Sequence, residues 1–139
     1  MTGKQFLDTN ILIYAHDLDA GHRHEVAVAR VKELWKSGLG VISVQVLQEF
    51  YVNVTRKISK PLSMTVARGL VESYAVWQVE TPTVQDVSRA SELQERWQLS
   101  FWDAMIVVAA MNGGAETIVS EDLNAGQLLD GICIENPFL

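Results

Sequence analysis

Gln5-Phe6-Leu7-Asp8-Thr9-Asn10-Ile11-Leu12-Ile13-Tyr14-Ala15 decides the fold. Gln5 to Leu7 read as a short strand, Asp8-Thr9-Asn10 as the polar corner that ends it, and Ile11 to Ala15 as a helical run. After the polar turn Asp17 to Gly21, Ala27, Val28, Val31, Leu34 and Trp35 recur at helix spacing between His22 and Lys36. Glu25, Arg30, Lys32 and Glu33 occupy the opposite side. Ser37-Gly38 stops this helix, Val41-Ile42 reads as a second strand, and Leu47, Phe50 and Val54 mark one face of a helix from about Val44 to Arg56. Lys57 to Ser63, with Pro61, is a loop.

The pattern then repeats. A helix over Met64 to Tyr74 precedes a strand at Val76 to Val79, and Thr83 and Asp86 stand at capping-box spacing for a helix reaching about Trp97. Ser100 opens an almost wholly apolar helix, Phe101 to Met111, which Asn112-Gly113-Gly114 ends. Thr117 to Val119 forms a strand leading into Ser120-Glu121-Asp122, and a last strand lies around Ile132 to Ile134, before Pro137. Strands alternating with helices predict an α/β fold of three layers: a central parallel sheet of four to five strands with helices on both faces. Periodicity leaves the strand order open.

A chain of 139 residues and 15.5 kDa, 48% hydrophobic and 20% charged, is expected to form a single domain over residues 1–139. Its net charge of -6 argues against non-specific polyanion binding, which leaves a basic footprint. A phosphodiester held by a metal and a local basic patch stays compatible with that charge. The single Cys133 has no partner for an internal disulfide, which fits a reducing cytosol. No signal peptide is read at the N-terminus, and the longest apolar run, Ala104 to Met111, is too short to span a bilayer. A cytoplasmic protein without membrane association is expected.

Ligands of open α/β sheets gather beyond the carboxyl ends of the strands. Asp8 and Asp122 each follow a strand and so emerge on one edge. Glu49 shares a polar helix face with Gln45, Asn53 and Arg56, and Asp103 stands at the mouth of the apolar helix. Each acid has an ordinary reading as well. Asp8 suits a turn or N-cap, Glu49 a solvated surface, and Asp103 a capping box begun by Ser100; Asp122 suits a turn cap, with Glu121 as an adjacent competitor. Each of the four lies at the end of an apolar run or within an apolar segment, where an unpaired acid is costly, so a cluster of them implies a cation or a chain of donors. With few histidines and one cysteine, a hard oxygen-binding ion, magnesium or manganese, is the natural candidate.

Around these acids, Thr9 and Ser120 carry hydroxyls able to orient a carboxylate or phosphate, or simply to cap, and Asn10 is placed to fix the Asp8 turn. Arg56, Lys57 and Lys60 form a basic cluster after the Glu49 helix, readable equally as a patch for a phosphodiester backbone or as a solvated helix end. His16, His22 and His24 are expected at the surface. Trp102 is expected to pack beside the acids, and Trp35, Trp77 and Trp97 in the core.

Asp8-Thr9-Asn10, Gln48-Glu49-Phe50, Phe101-Trp102-Asp103-Ala104 and Ser120-Glu121-Asp122, in this order over essentially the whole chain, resemble the PIN-domain family. The resemblance is closest to small stand-alone bacterial members, including VapC-like ribonuclease toxins. It implies a metal-dependent endoribonuclease that hydrolyses RNA by a metal-activated water and serves as the toxin of a type II toxin–antitoxin pair. Asp8 and Asp103 would then be metal ligands, with Glu49 and Asp122 binding a second Mg2+ or Mn2+ ion or orienting the attacking water. It further implies a homodimer and a small antitoxin partner covering the site. A receiver domain would need adjacent acids after the first strand and a late lysine, and a haloacid-dehalogenase-type phosphatase an aspartate where Asn10 stands. A non-catalytic nucleic-acid-binding or regulatory PIN module remains the alternative.

Overall fold

Asp8 turns the chain from strand to helix by itself: extended at φ -69° and ψ 159°, its carboxylate accepts the Thr9 N–H at 2.7 Å. The first helix therefore begins at Thr9, two residues earlier than its apolar run. In the computed structural model, which describes residues 3–139, the strands are β1 (Gln5–Leu7), β2 (Gly40–Ser43), β3 (Gln78–Glu80), β4 (Thr117–Val119), β5 (Leu128–Leu129) and β6 (Ile132–Glu135). The helices are α1 (Thr9–Ala15), α2 (His22–Ser37), α3 (Val44–Arg56), α4 (Met64–Tyr74), α5 (Val84–Trp97) and α6 (Phe101–Asn112), with a 3-10 turn at Leu18–Ala20 inside the polar turn.

The sheet runs β3-β2-β1-β4-β6-β5. The expected parallel strands are all present, β3 through β6 in that order, and β5 is added antiparallel at the edge. Periodicity missed β5 because two residues carry no period. Its signal was Asp130-Gly131, whose φ values of 48° and 88° suit the tight two-residue hairpin that a twisted sheet favours. Strand β3 starts at Gln78 rather than Val76, since Val76 and Trp77 still donate their N–H groups to the Ser73 and Tyr74 carbonyls at the end of α4.

From β1 the chain moves one way across the sheet, through β2 to β3, and then returns to β4 on the other side of β1. Right-handed crossovers place the helices of these two journeys on opposite faces. Accordingly α1 packs on α2 and α3, α3 on α4, and α5 on α6. The reversal leaves a crevice beyond the carboxyl ends of β1 and β4, where the connections part. Burial supports this layering: Phe6, Leu7, Val41, Ile42, Ile118 and Val119 of the sheet are fully buried. Helix α6 buries Ala104, Val107, Val108 and Ala110 completely, in keeping with its nearly unbroken apolar sequence.

Several side chains depart from expectation. Trp35 is exposed on one side although its ring contacts Tyr74 and Trp77, and Trp102 is 62% exposed, its ring resting edge-on against Phe101. Trp77 and Trp97 are partly buried against the core. Among the histidines only His22 lies at the surface. His16 is half-buried with Nε2 2.7 Å from the Tyr74 hydroxyl, and His24 Nδ1 sits 2.9 Å from the Tyr14 carbonyl. His16 closes α1 as its C-cap and His24 sits in the first turn of α2, where the packing of these two helices partly covers both rings. Among the described residues, no helix is long and apolar enough to cross a membrane.

Candidate active site

The crevice between β1 and β4 collects the acids. Asp8, at the end of β1, is 5% exposed, and Ser120, just after β4, donates its hydroxyl to Asp8 Oδ2 at 2.7 Å. The same Ser120 oxygen accepts the Asp122 N–H at 3.0 Å, so one buried hydroxyl ties Asp8 to the turn that carries Asp122. Asn10 Nδ2 donates to Asp122 Oδ2 at 3.0 Å and lies 3.5 Å from Asp8 Oδ2. From α3, Glu49 accepts the Thr9 hydroxyl at 2.5 Å and the Gln45 amide at 3.3 Å. Asp103 stands in the first turn of α6, its N–H donated at 3.1 Å to the Ser100 hydroxyl.

Electrostatics links all four. Burial pushes the Asp8 carboxyl up to about 6, against the hydrogen bonds from Ser120 and Thr9, and the charges of Asp103 and Asp122 push it further in that direction. Asp103 is raised by burial first, with Asp122 and Glu49 adding repulsion against the lowering contact with Ser100. Among the described residues, no lysine or arginine pairs with any of these four acids. Such a cluster lacks positive charge, and a cation is what its chemistry calls for. The carboxylates do not close into a ready-made cage of three ligands among the described residues.

Glu121 and Asp122 are separated by their partners. Glu121 turns towards α1 and α2, where it accepts the Tyr14 hydroxyl at 2.7 Å and pairs with Arg23. Burial opposes its charge, but the hydrogen bonds from Tyr14 and Arg23 outweigh burial and hold the carboxyl below its usual range. Asp122 instead faces the crevice. A cleft of about 520 Å³ opens there, lined by Thr9, Asn10, Glu49, Asn53, Lys57 and Asp122.

The structure divides the basic cluster. Lys57 lines the cleft, whereas Lys60 is turned to Asp19 at 3.9 Å and Arg56 is exposed on the last turn of α3. Sequence reading placed Gln45 on the polar face of Glu49 but gave it no role; it bridges α3 to α6 by donating to both Glu49 and the Trp102 carbonyl, at 3.2 Å for the latter. Its signal was a glutamine one helical turn before Glu49. Sequence reading overlooked Tyr14 and Arg23, whose role needs a contact spanning about a hundred residues that no local pattern announces.

Residues 6–128 match the PIN domain family. The chain belongs to the PIN domain family. No curated protein sequence matches it. Solved structures do. One is VapC20 of Mycobacterium tuberculosis, described as a sarcin-ricin loop cleaving toxin, 24% identical over 86% of this chain and 92% of that one, with a TM-score of 0.66. A toxin–antitoxin complex from Klebsiella pneumoniae is 21% identical over 96% and 98%, with a TM-score of 0.68. DNA-bound VapBC from Salmonella typhimurium is 20% identical over 97% and 98%, with a TM-score of 0.67. At these identities the likeness is one of fold. This PIN domain keeps an acidic residue at each of the four positions on which the resemblance rested, and its backbone brings all four to one crevice.

Proposed function

We propose that this PIN-domain protein is a metal-dependent endoribonuclease, working as one domain over residues 1–139 in the cytoplasm and acting as the toxin of a toxin–antitoxin pair. The observation that carries the reading is the meeting of Asp8, Glu49, Asp103 and Asp122, two of which share a cleft with Lys57, with no lysine or arginine among the described residues paired to any of the four. Asp8 and Asp103 would hold a Mg2+ or Mn2+ ion, with Glu49 and Asp122 as further ligands or holders of its waters. When bound, the ion supplies positive charge for the phosphate and acidifies a water for attack. Ser120, Thr9 and Asn10 fix the carboxylates through the bonds described above, so the acids need not reorganise as charge develops. Lys57 receives an RNA phosphate on the cleft wall and draws the backbone towards the acids.

Fold neighbours that are themselves a toxin and toxin–antitoxin complexes support a small antitoxin as the partner, and a homodimer belongs to the same reading. The deciding experiment is cleavage of a panel of RNAs with Mg2+ or Mn2+ by wild type, Asp8→Asn and Asp103→Asn. Each substitution should lower the rate by about a hundredfold or more, the scale of losing one preorganised electrostatic partner. Wild-type protein that binds RNA yet cuts none in either metal would mark a non-catalytic module instead.

A further inference from the structure

We infer that Glu121 is an anchor for Asp122, and that Tyr14 and Arg23 are positioning residues of the carboxylate site. The inference rests on the reading of Asp122 as one of the metal-site acids. Three consecutive residues after β4 point three ways. Ser120 is fully buried against Asp8, Glu121 is gripped by α1 and α2, and Asp122 lies exposed in the cleft. The Ser120 N–H is still held by the Glu135 carbonyl of β6, but Glu121 and Asp122 lie in an irregular bend where no helix or strand ladder fixes the backbone. What fixes it is side-chain contact on both flanks of Asp122's own peptide: Ser120 accepts the Asp122 N–H, and Asn10 accepts the Glu121 N–H at 3.3 Å.

The grip on Glu121 is itself braced. The Arg23 guanidinium lies 5.2 Å from the Phe138 ring and 5.9 Å from that of Tyr14, and the two rings meet edge-on at 5.5 Å. The Arg23 side chain is half exposed, but contact with two rings on one side and a carboxylate on the other restricts its rotamers and so helps to hold Glu121 in place. The arrangement has a second effect. It neutralises the negative charge of Glu121 and turns it away from a crevice that already holds four acids.

The test uses Tyr14→Phe, Arg23→Gln, Arg23→Lys and Glu121→Gln, alone and combined with Asp122→Asn. Three quantities are measured: Mn2+ affinity by titration, kcat and KM on a cleavable RNA, and thermal stability. Arg23→Gln and Glu121→Gln should each weaken Mn2+ binding about tenfold, the usual scale for residues that orient ligands. They should lower kcat with little change in KM, and Arg23→Lys should restore part of the loss. In the Asp122→Asn background the same substitutions should cost nothing further, because they act through Asp122. Unchanged Mn2+ affinity, or losses that add fully to that of Asp122→Asn, would overturn the inference. If wild type cuts no RNA, the nuclease reading fails, while the Mn2+ titrations still decide on the anchor.

Discussion

Asn10 donates to Asp122 across 112 residues of sequence, Nδ2 to Oδ2 at 3.0 Å, and so joins the helix after β1 to the turn after β4. The other end of the same amide accepts the Glu121 N–H, and its nitrogen also approaches Asp8. One neutral side chain therefore sets the spacing of two acids that repel each other. Asn10→Ala should weaken Mn2+ binding about tenfold. The same change should cost about 1 kcal/mol of stability, the usual worth of a lost hydrogen bond. Asn10→Asp replaces the donor with another carboxylate and should destabilise the metal-free protein more than alanine does. Calorimetric titration with Mn2+ checks the first claim, and an Asn10→Ala protein with wild-type affinity would show the bridge to be idle.

Asp8 costs the metal-free protein stability. Its folded pKa of about 6 lies above the ordinary 3.8, so the folded state holds the proton more tightly than the unfolded chain. Its contribution is full below pH 3.8 and declines as pH rises, until above about 6 the charged form is buried. The shift corresponds to about 3 kcal/mol lost across that window. Asp8→Asn, which cannot ionise, should therefore leave stability unchanged near pH 4 and raise it by about that amount at pH 8, both without metal. Added Mg2+ should stabilise wild type and narrow the gap. Urea unfolding of both proteins at several pH values reads this directly, and parallel curves would refute it.

The order of elements was legible because hydrophobic period and caps are local. Ser37-Gly38 ends α2 with Gly38 at φ 71°, and Thr83 with Asp86 forms the full capping box. The four acids were legible through their positions after strands or on adjoining helices. The ambiguity of Asp8 dissolved in an unforeseen way, since it is an N-cap and a site acid at once. The choice between Glu121 and Asp122 was not legible. It depends on Tyr14 and Arg23, which the fold alone brings near. Trp35 was misjudged for a related reason: an aromatic on the apolar face of α2 reads as core, but near the end of that helix its ring covers Tyr74 and Trp77 with its other side exposed.

Lys57 and Lys60, three residues apart, should behave differently. Lys57 lines the acidic cleft, whereas the side chain of Lys60 is 83% exposed and its near partner is Asp19. Lys57→Ala should raise KM for RNA and lower the salt slope of binding by about one unit, as expected when one phosphate contact is removed. Lys60→Ala should change neither. Binding of a non-cleaved RNA to the Asp8→Asn protein at several salt concentrations separates the two, and equal effects of both lysines would point to diffuse attraction instead of a placed contact.

His16 pulls against Asp8 over part of the same pH range. It packs edge-on against Phe50 and Tyr74, and burial first, then the nearby His24, lower its pKa below the ordinary 6.5. A depressed histidine gives its full stability above the unfolded value and loses it as pH falls, because the buried ring must accept a charge. Its neutral form is also the one that can accept the Tyr74 hydroxyl at 2.7 Å. His16→Gln removes the titration while keeping a polar partner for Tyr74. Wild type should lose stability relative to this variant as pH falls from about 7 to about 5, with a constant difference above that range. Denaturant unfolding of both proteins through that range measures it, and a difference that does not change with pH would mean that His16 binds its proton equally in the folded and unfolded states, so that burial does not depress it.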